Sequence, residues 1–207
     1  LSNPEFEALR NSYEIVVSYT GNMGDAQDLD TIIDAIKEIN NSKFNNKILF
    51  LFCGHGTKSN LIKNLINIDN NQNVRLYEYL HGHDYDDVLN MSDICLVSLR
   101  KGIEGLGVPS KTYGYFAYGK PIISIMSKDT ELSRNIVKYN AGFAIEQGNS
   151  NELAKTIIRL LNEIDLRVIL SENSYLVNKQ LYEKDISFKK YNKLVESLMG
   201  IKEKTNV

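Results

Sequence analysis

With 207 residues, 43% of them hydrophobic, and a formal net charge of -2, the chain is long enough to bury one full core and carries no global field that would draw in nucleic acid or an anionic membrane surface. No apolar run approaches the roughly 18 residues of a membrane-spanning helix. Cys53 and Cys95, the two cysteines, both fall inside apolar runs, which points to buried thiols in a reducing cytoplasmic setting rather than to a disulfide or a metal site.

Short apolar, β-branched runs alternate with longer stretches of helical spacing. Strands are predicted over residues 14–19, 47–53, 74–77, 94–97, 121–125 and 142–145. Helices are predicted over 28–40, where Leu29, Ile32, Ile33, Ile36 and Ile39 form one stripe, and over 58–66, 84–91, 109–118, 132–139 and 150–163. Two more, over 166–178 and 184–199, follow the last strand, and the tail at 202–207 is expected to fray. This alternation predicts an α/β, Rossmann-like, doubly wound parallel sheet of about six strands, with helices on both faces and extra C-terminal helices. Ligands of such sheets lie beyond the carboxyl ends of the strands, near the point where strand order reverses. The loops at those ends are therefore where a site is expected.

After the first strand, Gly21-Asn22-Met23-Gly24 carries two glycines that let backbone approach a ligand closely, although a tight strand-to-helix turn needs the same residues. Gly54-His55-Gly56 after the second strand has both readings too. After the third, Tyr79 and Leu80 lie in a loop that could wrap a flat base. His55, His81 and His83 do not have the spacing of a zinc set, and no HExxH helix or nearby cysteine completes one, so no metal site is expected.

The richest segment follows the fourth strand: Glu104-Gly105-Leu106-Gly107-Val108-Pro109-Ser110-Lys111. A carboxylate beside a glycine-permitted bend, a proline suited to starting a helix, and a cation in the first helical turn make a seat for a phosphorylated ligand. Arg100 and Lys101 are further cationic candidates or solvated loop residues. Lys111 has the wrong sign for the dipole of its own helix, which an anion bound there would explain.

Taken together, these segments resemble the C-terminal, nucleotide-sugar-binding domain of a GT-B glycosyltransferase of the retaining family-4 type, in a subgroup found among bacterial surface-polysaccharide enzymes. The motifs that carry the resemblance are Tyr19-Thr20-Gly21-Asn22-Met23-Gly24, Phe52-Cys53-Gly54-His55-Gly56, Glu104-Gly105-Leu106-Gly107, and the run from Tyr115 through Gly119-Lys120-Pro121 to Ile123. It covers the whole chain, residues 1–207, as one domain whose N-terminal acceptor domain is absent. The resemblance implies sugar transfer from a nucleoside-diphosphate donor, a UDP-sugar by preference, to a glycan or lipid-linked acceptor. It implies no cofactor beyond that donor, and work in the cytoplasm or at the inner face of the membrane.

Carried over residue by residue, the resemblance implies that Glu104 contacts the donor sugar, that the Leu106 and Gly107 amides hold sugar and phosphate, and that Gly21, Asn22, Met23 and Gly24 line the diphosphate. Two positions depart from the family pattern. Gly114 stands where a second glutamate would hold the ribose, and the basic pair after the first strand is missing, with Asn22 and Asp28 near those places. Ser110 and Lys111 are expected to supply the phosphate contacts instead. A nucleotide-binding module without catalysis, or a nucleotide-sugar isomerase of the same architecture, would use the same fold.

Overall fold

The computed structural model describes residues 1–68, 72–103 and 109–199. Glu104, Leu106, Gly107 and the expected frayed tail fall outside the described residues. Six strands run in one parallel sheet: β1 (Ile15–Thr20), β2 (Ile48–Cys53), β3 (Val74–Tyr77), β4 (Ile94–Ser98), β5 (Ile122–Ile125) and β6 (Gly142–Ile145), in spatial order β3-β2-β1-β4-β5-β6. The order reverses between β1 and β4. Those two strands pair in parallel, with Val17 opposite Ile94 and Ser18 opposite Cys95, while β1 pairs with β2 along its whole length.

β1 and β2 are buried at every position, which is why their sequences, IVVSYT and ILFLFC, are nearly continuous apolar runs rather than alternating ones. The crossover helices α2 (Asp30–Asn40), α3 (Ser59–Ile68), α4 (Asp84–Met91), α5 (Lys111–Ala117) and α6 (Glu131–Lys138), and α7 (Ser150–Asn162) after the last strand, lay their apolar stripes on the sheet. Ile32, Ile36 and Ile39 of α2 and Leu153, Ile157 and Leu160 of α7 are buried in one cluster with Ile15, Val17 and Phe50. Asp28, predicted as the first residue of α2, instead caps it: its carboxylate accepts from the Thr31 amide at 3.2 Å and the Thr31 hydroxyl at 2.6 Å.

Two features differ from the sequence reading. A first helix, α1 (Pro4–Ser12), precedes the sheet, capped by the Asn3 side chain with Pro4 opening it. It buries a single side chain, Phe6, so it shows no apolar period. Helix α8 (Ile164–Val177) passes into a π-turn, Asn178–Tyr182, before α9 (Lys184–Leu198). The Tyr182 ring of that turn packs on Phe116 and Tyr113 of α5. Phe188, Tyr191, Leu194 and Leu198 of α9 stay exposed. Among the described residues, no helix is long and apolar enough to cross a membrane.

Asp87 on α4 anchors α1. Its carboxylate accepts from the Ser2 amide at 2.8 Å, the Ser2 hydroxyl at 2.6 Å and the Asn3 amide at 2.8 Å. The Ser2 hydroxyl, more than any other partner, holds this carboxyl below the usual carboxylate range. A depressed carboxyl stabilises the fold above its unfolded value and loses that contribution as pH falls through the native one. Hydrogen exchange should therefore show α1 losing protection in Asp87→Ala and, in the parent, on acidification below the ordinary aspartate range. Equal α1 protection in both proteins would show that the anchor carries nothing.

Candidate functional site at the switch point

Helix α5 brings its first residue to the reversal point. The Tyr115 hydroxyl accepts from the Thr20 amide at 3.1 Å and meets the Thr20 hydroxyl at 2.9 Å, which fixes α5 against the last residue of β1. Lys111, one turn earlier on the same helical face, is thereby carried over the end of β1. Its Nζ sits 3.7 Å from the centroid of the Tyr19 ring. Gly21, at φ +94°, is close as well: an added Cβ there would stand 3.5 Å from Lys111 Cε.

Among the described residues, two buried side-chain polar atoms lack a hydrogen-bond partner: Lys111 Nζ and Ser98 Oγ. Both line one open cleft of about 530 Å³, together with Gly21, Asn22, Asp25, Arg100, Ile103, Pro109 and Ser110. Burial pushes the Lys111 ammonium down to about 7. Helix α5 has only seven residues. It is burial, rather than the helix dipole invoked from sequence, that sets the electrostatics of this lysine. A buried ammonium and a buried hydroxyl that line one cleft make an arrangement that a bound anion would complete.

The glycine loop after β1 is mostly committed to the fold. The Gly21 N–H donates to the Cys53 carbonyl at 2.7 Å, the Met23 N–H to the His55 carbonyl at 2.9 Å, and the Gly24 N–H to Gln27 Oε1 at 2.8 Å. The Asn22 N–H has no such partner. Met23, expected at the ligand, has its side chain fully buried in the main core, and Gly24 is buried as well. Gly21 and Asn22 are the two residues of this loop that face the cleft.

Gly54 lies against this loop, since a Cβ there would stand 2.1 Å from the Gly21 carbonyl oxygen. Its close approach is to protein backbone, as the turn reading required. Tyr79, 67% exposed, packs its ring 5.4 Å from the His55 ring and lines a separate shallow pocket of about 590 Å³ with Lys63, Glu78 and His81. Leu80 is instead partly buried, packed against the cluster that contains Phe6, Cys53 and Val88. Ser110 is exposed at the cleft and makes no side-chain cap to α5. At Gly114 an added Cβ would meet the Tyr85 hydroxyl at 3.0 Å, so that tyrosine occupies the space into which a larger residue would grow.

A larger cavity of about 1030 Å³ lies at the opposite ends of the strands, lined by Tyr13, Asn40, Asn46 and Asn73 among others. It contains neither of the unpartnered buried atoms. Among the described residues, no cluster of histidine, cysteine and acidic side chains could hold a metal ion. Burial raises the thiols of Cys53 and Cys95 to about 12, so neither is a ready nucleophile.

A six-stranded parallel sheet with its candidate site at the β1/β4 reversal is a Rossmann-like, doubly wound fold. Residues 3–177 match the model of the glycosyl transferases group 1, and the chain belongs to that family. A probable glycosyltransferase of Pseudomonas aeruginosa, WbjE, is 31% identical over 197 residues, which cover 95% of this chain and 46% of the relative. The chain thus spans less than half the length of the curated relatives it matches. Among solved structures, a sucrose-phosphate synthase from Thermosynechococcus elongatus superposes with a TM-score of 0.75 at 18% identity, over 97% of this chain and 50% of that one. The pneumococcal O-GlcNAc transferase GtfA, solved with UDP and GlcNAc, gives 0.68 at 16% identity, over 91% and 37%. At these identities the two structures speak to the fold alone.

Proposed function

We propose that this chain is the donor-binding half of a retaining glycosyltransferase, and that the cleft at the ends of β1 and β4 receives the diphosphate of a nucleotide-sugar, the uridine type by preference. The observation that carries the reading is that Lys111 Nζ and Ser98 Oγ, both buried and without hydrogen-bond partners among the described residues, line one cleft at the switch point. Family membership supports transfer chemistry; the uridine type is the form tested first, since a neighbour of the same fold is named with UDP. The acceptor, a glycan or a lipid-linked sugar, would be held by a second domain, for which the greater length of the relatives leaves room.

When the glycosidic bond breaks, negative charge accumulates on the departing diphosphate. An ammonium at Lys111, the Ser98 hydroxyl and the Asn22 N–H are donors already positioned, so they need little reorganisation as that charge develops. Glu104 is assigned to the donor sugar, and Leu106 and Gly107 to sugar and phosphate, on the strength of their motif. The diphosphate would be neutralised by these groups without a divalent metal.

Titration calorimetry of the chain with UDP, GDP, UDP-glucose and GDP-mannose in excess chelator should show at least one binding event. Binding that appears only after magnesium is added would contradict the metal-free reading. Glu104→Ala should weaken the nucleotide-sugar about tenfold to a hundredfold, the loss of one hydrogen bond to a charged group. The free nucleoside diphosphate, which has no sugar to lose, should bind as before. Equal loss for both ligands would move Glu104 away from the sugar.

A further inference from the structure

Resting on that reading of the cleft, one side chain beneath it has no assigned role. Tyr19 is fully buried at the next-to-last position of β1. Its hydroxyl donates to the Asn22 carbonyl at 3.0 Å, and its ring face carries Lys111 Nζ at 3.7 Å. The first contact ties down the loop that presents Asn22 to the cleft. The second steadies the ammonium, which has no hydrogen-bond acceptor among the described residues. One residue therefore sets both the cation and the loop on the same side of the cleft.

We infer that Tyr19 is the positioning residue of the phosphate site, holding Lys111 in a dry seat where the arriving diphosphate is bound together with a proton on Lys111 Nζ. The step is an N–H bond formed on the neutral amine, with the proton supplied by the buffer acid and the resulting ammonium paired with a phosphate oxygen. Lys111 Nζ is buried over the Tyr19 ring with no hydrogen-bond acceptor among the described residues, so it has lost its water and an arriving anion favours its charged form.

The other groups that bear on this lysine can be named. Tyr19 lies beneath it, and burial raises the Tyr19 hydroxyl well above its ordinary value, so it stays neutral. Across the cleft are Asp25, whose carboxylate accepts from the Thr57 hydroxyl at 3.1 Å, and Arg100, whose side chain is exposed. Tyr115, on the same helix, is buried and raised, and so neutral as well. Glu104 is the acidic neighbour in sequence outside the described residues.

The sign follows directly. In the free chain Lys111 loses its proton near pH 7, whereas beside a phosphate it keeps it to higher pH. Between those two values each bound ligand takes up a proton, and affinity falls by about tenfold per pH unit as pH rises. A nucleotide-sugar is the right probe, because its diphosphate is esterified at both ends and has no proton to exchange in this range.

The test is calorimetry of UDP-glucose and GDP-mannose between pH 6 and 9 in pairs of buffers with different ionisation heats, for the parent, Lys111→Arg, Tyr19→Phe and Tyr19→Leu. The parent should take up close to one proton per ligand near pH 8 and show the falling profile. Lys111→Arg, charged throughout, should bind with no uptake and a flat profile. Tyr19→Phe keeps the ring and should keep the uptake. Tyr19→Leu, which lets water reach the lysine, should flatten the profile, whereas a merely structural role would lower affinity equally at every pH. Binding by the parent without proton uptake, or uptake unchanged in Tyr19→Leu, would overturn this inference and leave the donor site standing. Failure of the parent to bind either nucleotide-sugar would overturn both.

Discussion

Replacing Lys111 by methionine should make the unliganded chain more stable while it weakens nucleoside-diphosphate binding. Methionine fills the space of the lysine stem over Tyr19 and removes a buried ammonium that has no hydrogen-bond partner. Exchanging an uncompensated buried charge for an apolar side chain of similar volume is worth on the order of 1–3 kcal/mol, a rise in Tm of roughly 2–10 °C for a chain of this size. The same change removes one charge-assisted hydrogen bond to phosphate, so affinity should fall about tenfold to a hundredfold.

The gain in stability should depend on pH in a stated direction. The native lysine titrates near 7 and the unfolded one near 10.5. Between these values the unfolded chain holds more protons, so the parent's stability rises with pH while the variant's does not. The gap should be widest at and below pH 7 and should close toward pH 10.5. Thermal melts of both proteins across that range, with and without UDP, measure all of this at once. A variant no more stable than the parent at pH 7 would mean that water already reaches the ammonium.

Substitution of Gly54 should be the most damaging change near the site that removes no functional group. Its φ is +139°, and an added Cβ would lie 2.1 Å from the Gly21 carbonyl oxygen, backbone against backbone, with no flexible side chain to give way. The Gly54 N–H is also fixed to the Tyr77 carbonyl at 2.8 Å, so the strand end cannot simply swing aside. Gly54→Ala should cost on the order of 2–4 kcal/mol, roughly 5–15 °C in Tm. Because the clash pushes on Gly21, donor affinity should fall as well. Gly82→Ala is the matched control: its φ is also positive, but nothing lies within 4 Å of the new methyl group. It should cost about 1 kcal/mol and leave binding alone.

How much of this was legible in the sequence follows from where the information resides. The six strands could be read because a sheet covered on both faces forces runs such as Ile48 to Cys53 to be apolar at every position. Helix α1 could not be read from periodicity, since Phe6 alone is buried, although Asn3-Pro4-Glu5 was a usable capping signal. The π-turn at 178–182 has no local sequence mark.

Within the site, Lys111 was visible as a cation in an odd place, but the reason for its oddness was not. Sequence offered the helix dipole, whereas the seven-residue α5 leaves burial over Tyr19 as the governing term. The strand predicted over 94–97 stops one residue short of Ser98, whose place at the end of an apolar run at the switch point is a usable signal. Met23 and Gly24 are expected at the ligand because their loop is; in the structure both are buried, and their amides donate to the His55 carbonyl and to Gln27 Oε1.

The most direct measurement is a crystal structure of this chain with the tightest-binding nucleoside diphosphate, grown with chelator. The phosphate oxygens should lie within hydrogen-bond distance of Lys111 Nζ, with Ser98 or the Asn22 N–H as further donors and no metal bridging them. A nucleotide seated with its phosphates away from Lys111, or held there only through a divalent cation, would contradict the account.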